Sequence, residues 1–381
     1  MTGRRLRLGM VGGGDGAFIG GVHRMAARID DCWELAAGAF QSDPARSRAF
    51  GTSLRLAPDR CYDDFRSMAI AEARRADRID AVAIVTPNYL HAPVAFAFLD
   101  AGIAVICDKP MATSSAEAEG LLAAVQESGL PFVLTHNYSA YPMVRQARAM
   151  IEAGELGVLR VVHAEYAQDW LASQLSGNKQ ADWRGDPARA GPAGALGDIA
   201  THAFHLAEFV TGVRATSLAC ELSTFVAGRK VDDNAHIMLR FPGASRGLLW
   251  ASQVAIGAAN GLRLRVMGER GGLDWSQETP DELRFTPIGE ATRTLRRGGP
   301  GMSHSAKRAT RLPAGHPEGY LEGFAQIYAD ASELIRAHIE SRPPDPQAAL
   351  TPGVEDGVRS SRFIEAALRS ADGDGSWTPI P

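Results

Sequence analysis

Lys109, Asp198 and His202 are the residues of this sequence whose types and spacing could do chemistry. Asp198 and His202 stand four apart in GALGDIATH, a spacing that puts both on one face of a helix. Histidine titrates near neutrality and is the natural acid or base for a hydroxyl proton. Asp198 could orient that imidazole or bond a hydroxyl itself. Lys109 follows the short apolar run Ala104–Cys107 in VICDKPM, so its ammonium stands at the end of a buried strand. There it could steady a developing alkoxide. Each residue alone has a plainer explanation. Asp198, after Gly197, can cap its helix, and a single lysine can simply be solvated. His205, three residues beyond His202, raises the option of a metal site. No fourth ligand stands out, so no metal is expected, and His205 reads as a packed helix histidine.

The elements before these residues are those of a nucleotide-binding sheet. Leu6–Val11 is a buried strand, followed at once by Gly12-Gly13-Gly14-Asp15-Gly16 and a helical period over Phe18–Ile29. Strand, glycine turn and helix in that order form a dinucleotide-binding motif. The glycines let the backbone approach a pyrophosphate, and the helix start offers free N–H groups. Gly12 and Gly14 fill the first two glycine places; the third falls to Ala17 or, after a short insertion, to Gly20. Phe18 and Ile19 open the helix beside the phosphates. Glu34–Ala39 is the second strand, and its end, where an acid would bond the adenosine ribose, reads Phe40-Gln41-Ser42-Asp43-Pro44-Ala45-Arg46. Asp43 precedes a proline and is assigned to capping the next helix. Ser42 and Arg46 could hold a 2′-phosphate, and Gln41 or Ser42 a free ribose hydroxyl. NAD is expected, with NADP also open.

Asp63–Ala73, Pro93–Ala101 and Ser114–Glu127 read as helices, the last opened by a capping box of Thr113/Ser114 with Glu117. Ala81–Val85, Ala104–Cys107 and Phe132–Thr135 are apolar strands of parallel type. Ligands in a doubly wound sheet lie beyond the carboxyl ends of its strands. Thr86, Pro87, Asn88 and His91 stand there, as do Asp108, Lys109, Asn137 and Tyr138. The expected first domain is an α/β Rossmann domain over residues 1–136.

Residues 137–381 read as an α+β domain for substrate binding and oligomerisation. A helix at Tyr141–Glu152 and a strand at Leu159–Tyr166 open it. Ala215–Phe225, Ala235–Phe241, Gly247–Val254 and Leu262–Gly268 are strands separated by turn residues alone, which predicts a large open, mainly antiparallel sheet. Leu273–Trp275 and Glu282–Phe285 add edge pieces. Arg293–Arg311 is aperiodic and reads as a mobile loop, and Tyr320–Ala337 as a helix. A closing helix at about 353–370 can pack back on the first domain.

Composition sets outer bounds. The chain has 381 residues, 45% hydrophobic and 22% charged, with a formal net charge of −4. That balance gives no electrostatic case for nucleic acid or an anionic membrane. Its apolar runs fall short of the ~18 residues of a membrane helix. The N-terminal run flows directly into the glycine turn instead of forming a leader. The four cysteines have no CxxC spacing, so reduced thiols and a cytoplasmic location are expected.

Three stretches keep one order along the chain: Val11–His23, Thr86-Pro87-Asn88…His91 with Cys107-Asp108-Lys109-Pro110, and Gly194–His202. On these the chain resembles the glucose–fructose oxidoreductase / inositol dehydrogenase / MocA family. Within it the chain is most similar to levoglucosan dehydrogenase-like members, in GGGDGAFIGGVH, HNYSAYPMVRQAR and AEYAQDW. Asp108 departs from the family's usual glutamate before the lysine. The resemblance implies an NAD(P)-dependent oxidoreductase moving a hydride between nicotinamide and a secondary alcohol or ketone of a sugar, anhydrosugar or cyclic polyol. It implies Lys109, Asp198 and His202 as the catalytic trio: His202 as acid/base, Lys109 stabilising the alkoxide, Asp198 anchoring substrate. It implies cofactor contacts for Trp183 and Arg184, and a homodimer or homotetramer. Tyr138, Tyr166 and Gln168, with Asn137, are candidate sugar contacts, since rings stack on C–H faces and amides bond hydroxyls. Two alternatives stay open: a non-catalytic dinucleotide sensor, and an NADPH-dependent keto-sugar reductase.

Overall fold

The computed structural model describes residues 4–175 and 187–381. The chain forms two compact units, Met1–Asn137 with Tyr320–Val358, and Tyr138–Gly319 with Arg359–Pro381. The segment Tyr320–Val358 thus joins the first unit, where the sequence reading had grouped it with the second.

The first unit alternates strand and helix: β1 (Leu6–Gly12), α1 (Phe18–Ile29), β2 (Trp33–Ala39), α2 (Pro44–Ser53), α3 (Phe65–Ala73), β3 (Ala81–Val85), α4 (His91–Asp100), β4 (Ala104–Cys107), α5 (Ser115–Ser128) and β5 (Phe132–Leu134). The strands pair in parallel in the order β2-β1-β3-β4-β5. Every residue of β3 is buried, as a strand covered on both faces requires. The winding reverses between β1 and β3, so a ligand crevice opens beyond their carboxyl ends. Helix starts follow the local chemistry. Asp43 accepts the Arg46 N–H at 3.0 Å behind Pro44. Ser114 accepts the Glu117 N–H at 3.2 Å, while Glu117 reaches back to the Thr113 N–H at 3.0 Å.

The second unit carries α6 (Pro142–Glu152), β6 (Leu159–Ala167), a single turn at Pro187–Ala190, α7 (Thr201–Thr211), then β7 (Ser217–Ser223), β8 (Asn234–Arg240), β9 (Arg246–Ser252), β10 (Gly261–Gly268), β11 (Gly271–Ser276), β12 (Glu282–Pro287), β13 (Arg293–Arg296) and α8 (His304–Arg308). There follow α9 (Tyr320–Ile339) in the first unit, α10 (Val354–Asp372), which starts in the first unit and ends in the second, and β14 (Thr378–Pro379). Nine strands form one mixed sheet, β13-β12-β11-β10-β6-β9-β8-β7-β14, in which β6 and β9 pair in parallel and the other neighbours antiparallel. In β8, Ile237 and Leu239 are buried while His236, Met238 and Arg240 are exposed. One face of the sheet is therefore covered and the other open.

Residues 293–311 differ from the expected mobile loop. Arg293–Arg296 is a strand paired with β12, and His304–Arg308 is a helix capped by Ser303. The reason lies in Arg297, which is fully buried and bonds Asp281 at 2.6 Å, Glu318 at 2.9 Å and the Leu312 carbonyl at 2.7 Å. A buried charge held by two carboxylates fixes the loop that hydropathy alone leaves aperiodic. In the first unit, α9 packs on α1: Tyr328 donates or accepts at His23 Nδ1 (2.9 Å), and its carbonyl accepts the Trp33 indole N–H at 2.9 Å. Val354 and Val358 complete the core around Val82, Phe98 and Leu121.

Candidate active site

In the first unit the glycine turn is built for close backbone approach. Gly12 and Gly13 have φ of +83° and +69°, which side-chain-bearing residues rarely adopt. A Cβ on Gly12 would stand 2.7 Å from the Val85 carbonyl oxygen and 2.9 Å from the Thr86 nitrogen. A Cβ on Gly20 would stand 2.3 Å from Gly13 Cα. Gly20 thus provides the close packing of α1 on the glycine turn, and Ala17 is the residue just before α1. Ala17 supplies no side-chain cap and the first turn of α1 holds no acid, so its N–H groups and positive dipole end suit a pyrophosphate. Phe18 is 67% exposed at that helix start, with Ile19 next to it.

Two buried polar atoms flank the turn without a hydrogen-bond partner: Gln41 Oε1 and Thr86 Oγ1. Gln41 lies over Gly14, where a Cβ would meet its Cγ at 2.5 Å. Orphaned polar atoms beside a side-chain-free cradle fit a dinucleotide with hydroxyls and phosphates to offer. Ser42 and Arg46 are exposed beyond Gln41, and Arg46 faces Asp15 at 4.0 Å. Asp43 is spent on capping α2.

At the next strand ends, Pro87 and Asn88 are partly buried. His91 is buried with Nε2 against the Thr86 carbonyl (2.9 Å) and Nδ1 against that of Pro110 (2.6 Å). It ties the loops after β3 and β4 together. Asp108 accepts the Thr135 hydroxyl at 2.7 Å and the Lys109 N–H at 2.9 Å, which fixes the segment that carries Lys109. Lys109 is half-buried just beyond β4, joined to Pro110 by a cis peptide. Asn137 is buried. His23 is fully buried, and burial drives its pKa down from 6.5 to about 4.

In the second unit, Asp198 lies on a π turn, Leu196–Ala200, that leads into α7. Sequence spacing predicted a plain helix; such π turns concentrate at functional sites. The Asp232 carboxylate places this turn, accepting the N–H of Gly194 at 2.6 Å and of Leu196 at 2.7 Å. Burial pushes the Asp232 carboxyl up, against the pull of those two N–H groups. Asp198 Oδ2 accepts from Gln253 Nε2 at 2.9 Å. His202 is buried, its ring edge-on to Tyr138 (centroids 4.9 Å apart) and tilted to Tyr166 (6.1 Å). Burial raises the Tyr138 pKa, and the Asp198 charge adds to the shift. Asp198 and His202 therefore both neighbour Tyr138.

The predicted substrate contacts form a chain of hydrogen bonds. The Tyr138 and Tyr166 hydroxyls are 2.6 Å apart, Tyr166 donates to Asn260 Oδ1 at 2.9 Å, and Gln168 Nε2 donates to the same oxygen at 2.7 Å. Trp170 Nε1 donates to Gln168 Oε1 at 3.0 Å. Because Asn260 Oδ1 can only accept, the Tyr166 proton points at it and Tyr138 must donate to Tyr166. Asn260, Gln253 and Asp232 were missed by sequence reasoning. Asn260 stands before Gly261 and reads as a turn; Asp232 precedes another acid, a pair whose burial no local pattern reveals. Trp183 and Arg184 lie outside the described residues. Among the described residues, no group of three His, Cys, Asp or Glu is arranged to hold a metal. No described helix is long and apolar enough to cross a membrane.

A doubly wound sheet with a glycine cradle, in one chain with a large mixed sheet whose unit carries a half-buried Asp198 and a buried His202, defines a nicotinamide-dependent oxidoreductase. Residues 6–136 match the oxidoreductase family with NAD-binding Rossmann fold, and residues 144–274 match the GFO/IDH/MocA C-terminal domain. The chain belongs to the GFO/IDH/MocA family. It is 49% identical to an oxidoreductase from Sinorhizobium meliloti of known structure, with a TM-score of 0.90 over 98% of this chain and 99% of that one. An inositol dehydrogenase homolog from Azotobacter vinelandii, complexed with NADH and myo-inositol, is 36% identical, with a TM-score of 0.91 over 99% and 98%. The levoglucosan dehydrogenase of Pseudarthrobacter phenanthrenivorans is 28% identical over 99% of each chain.

Proposed function

We propose that the protein oxidises a secondary alcohol of a sugar, anhydrosugar or cyclic polyol, or reduces the matching ketone. The observation that carries this reading is that His202 stands edge-on to the buried Tyr138 ring, with the Asp198 charge acting on the same tyrosine, in a chain whose other unit is an NAD-binding sheet. NAD, when bound, supplies the hydride acceptor. His202 takes the hydroxyl proton as general base, and its burial against two tyrosine rings excludes water from the transfer. Lys109 places a cation against the oxygen as its proton leaves, and Asp198 bonds a substrate hydroxyl and steadies the imidazolium. Tyr138, Tyr166, Gln168 and Asn137 line the sugar. Gly12, Gly14, Thr86 and Gln41 hold the dinucleotide, with Asn88, Pro87 and Asp108 beside the nicotinamide end. Inositol and levoglucosan, named with the relatives above, are the first substrates to try.

The test is NADH formation with a panel of myo-inositol, levoglucosan, glucose, xylose and galactose. Turnover of one of them, lost by at least about a thousandfold in Lys109→Ala and His202→Ala, is the expected result. Tight NADH binding with silence across the panel would instead favour a dinucleotide sensor. A second reading, reduction of a keto-sugar with NADPH, is favoured by the capping of α2 by Asp43, which takes away the acid nearest the adenosine ribose. The ratio of NADH to NADPH affinity decides it.

A homodimer or homotetramer through the open sheet face is part of the proposal, since Val161, Met238 and Leu248 are exposed there. Light scattering of the purified protein measures it. A cytoplasmic location is supported by four free, buried cysteines.

A further inference from the structure

We propose that Gln253 is a positioning residue of the reaction, acting through Asp198; this rests on the catalytic reading of Asp198 given above. Gln253 follows β9 and is 3% exposed. Its backbone is pinned from two sides: its N–H donates to the Asp233 carbonyl at 2.9 Å, and its own carbonyl accepts from Leu171 at 3.2 Å. Asp233 is in turn fixed, its carboxylate accepting the Phe225 and Val226 N–H groups and the Arg229 guanidinium. The Gln253 side chain is thus delivered to one place, and there it gives Nε2–H to Asp198 Oδ2 at 2.9 Å.

The direction of that bond matters. The amide nitrogen can only donate, so the carboxylate oxygen facing it must offer a lone pair, and the bond is strongest to an ionised carboxylate. Gln253 therefore keeps one Asp198 oxygen occupied and the carboxylate plane fixed. Asp198 lies on a π turn, and Gln253 anchors its carboxylate from outside that turn. The turn itself is seated by Asp232, two residues before β8 starts at Asn234, while Gln253, just after β9, seats the Asp198 side chain. Two neighbouring strand ends thereby define the position of one functional carboxylate.

A double-mutant cycle tests this. Gln253→Leu removes the donor at similar size, and Gln253→Glu keeps the shape while replacing the N–H with an oxygen. Both are measured with the sugar that the wild type turns over, in the wild-type and Asp198→Ala backgrounds, with melting temperature and NADH affinity as controls. Both are expected to lower kcat by about ten- to a hundredfold, the usual worth of a hydrogen bond to a charged group, with NADH affinity unchanged. In the Asp198→Ala background, which leaves no acceptor for Gln253, Gln253→Leu is expected to change the residual rate by less than about threefold. A wild-type rate in both variants, or an equal loss in both backgrounds, overturns the role of Gln253. A wild type that turns over no sugar overturns the functional reading and this proposal with it.

Discussion

The carboxylate of Asp232 receives the backbone N–H of Leu196 at 2.7 Å and so sets where the turn carrying Asp198 begins. Its other oxygen takes the Gly194 N–H, and a Cβ on Gly194 would stand 1.9 Å from the Asp232 carbonyl oxygen. Asp232→Ala strands two buried donors, each worth about 1–3 kcal/mol. The expected outcome is a stability loss of about 2–5 kcal/mol in denaturant melts, with kcat falling more than NADH affinity. Asp232→Asn, which retains one acceptor, should recover part of both. Equal kcat in Asp232→Ala and wild type would show that the turn keeps its place without this carboxylate.

The contact between Gly20 and Gly13 gives a sharper test of the cofactor cradle. The atom that a Gly20→Ala methyl would strike, at 2.3 Å, is the Gly13 Cα, so no flexible side chain can move aside. Either α1 shifts away from β1 or the glycine turn deforms. NADH affinity is expected to fall at least about tenfold, which is 1.4 kcal/mol of lost binding, measured by fluorescence titration. Ala17→Gly meets no such contact and should leave affinity within about twofold, since Ala17 contributes no cap bond.

His23 predicts how stability depends on pH. Its ring is fully buried against Tyr328, and burial lowers its pKa from 6.5 to about 4. The folded protein therefore keeps His23 neutral where the unfolded chain begins to take a proton. Stability is fully present above pH 6.5 and falls as the pH drops towards 4. The full loss from this residue is about 3 kcal/mol. Guanidinium melts at neutral and mildly acid pH should show a smaller acid loss in His23→Gln than in the wild type. The same loss in both proteins would assign the acid sensitivity to other groups.

The first unit was legible because its elements are local. Glycines between a strand and a helix, a proline behind Asp43 and an acid three residues after Ser114 each state their structure within a few residues. The second unit was legible as strands but not as a site. Asp198 and His202 stand out by their spacing, yet the π turn beneath Asp198 depends on Asp232, distant in sequence. Asn260 joins Tyr166 to Gln168 from the bend before β10, and Gln253 reaches Asp198 from just beyond β9. Long-range hydrogen bonds carry no periodic signature. The same holds for Arg297, whose burial between Asp281 and Glu318 orders a stretch that reads as a loop.

We propose that Arg46 governs how well NADPH binds beside NADH. It is exposed beyond β2, and its guanidinium faces Asp15 at 4.0 Å, itself exposed. A pair this open is worth little and leaves the guanidinium available to a phosphate. The acid that could have repelled that phosphate, Asp43, has its carboxylate turned to the Arg46 N–H. NADPH should therefore bind measurably beside NADH. Arg46→Ala is expected to weaken NADPH by about five- to tenfold, the value of one exposed charge-assisted contact, and to leave NADH within about twofold. The NADPH advantage contributed by Arg46 should also shrink as salt is raised, because exposed charges are screened. Isothermal titration with both cofactors at two ionic strengths measures each of these quantities. If Arg46→Ala weakens the two cofactors equally, Arg46 supports the β2–α2 loop and does not recognise the 2′-phosphate.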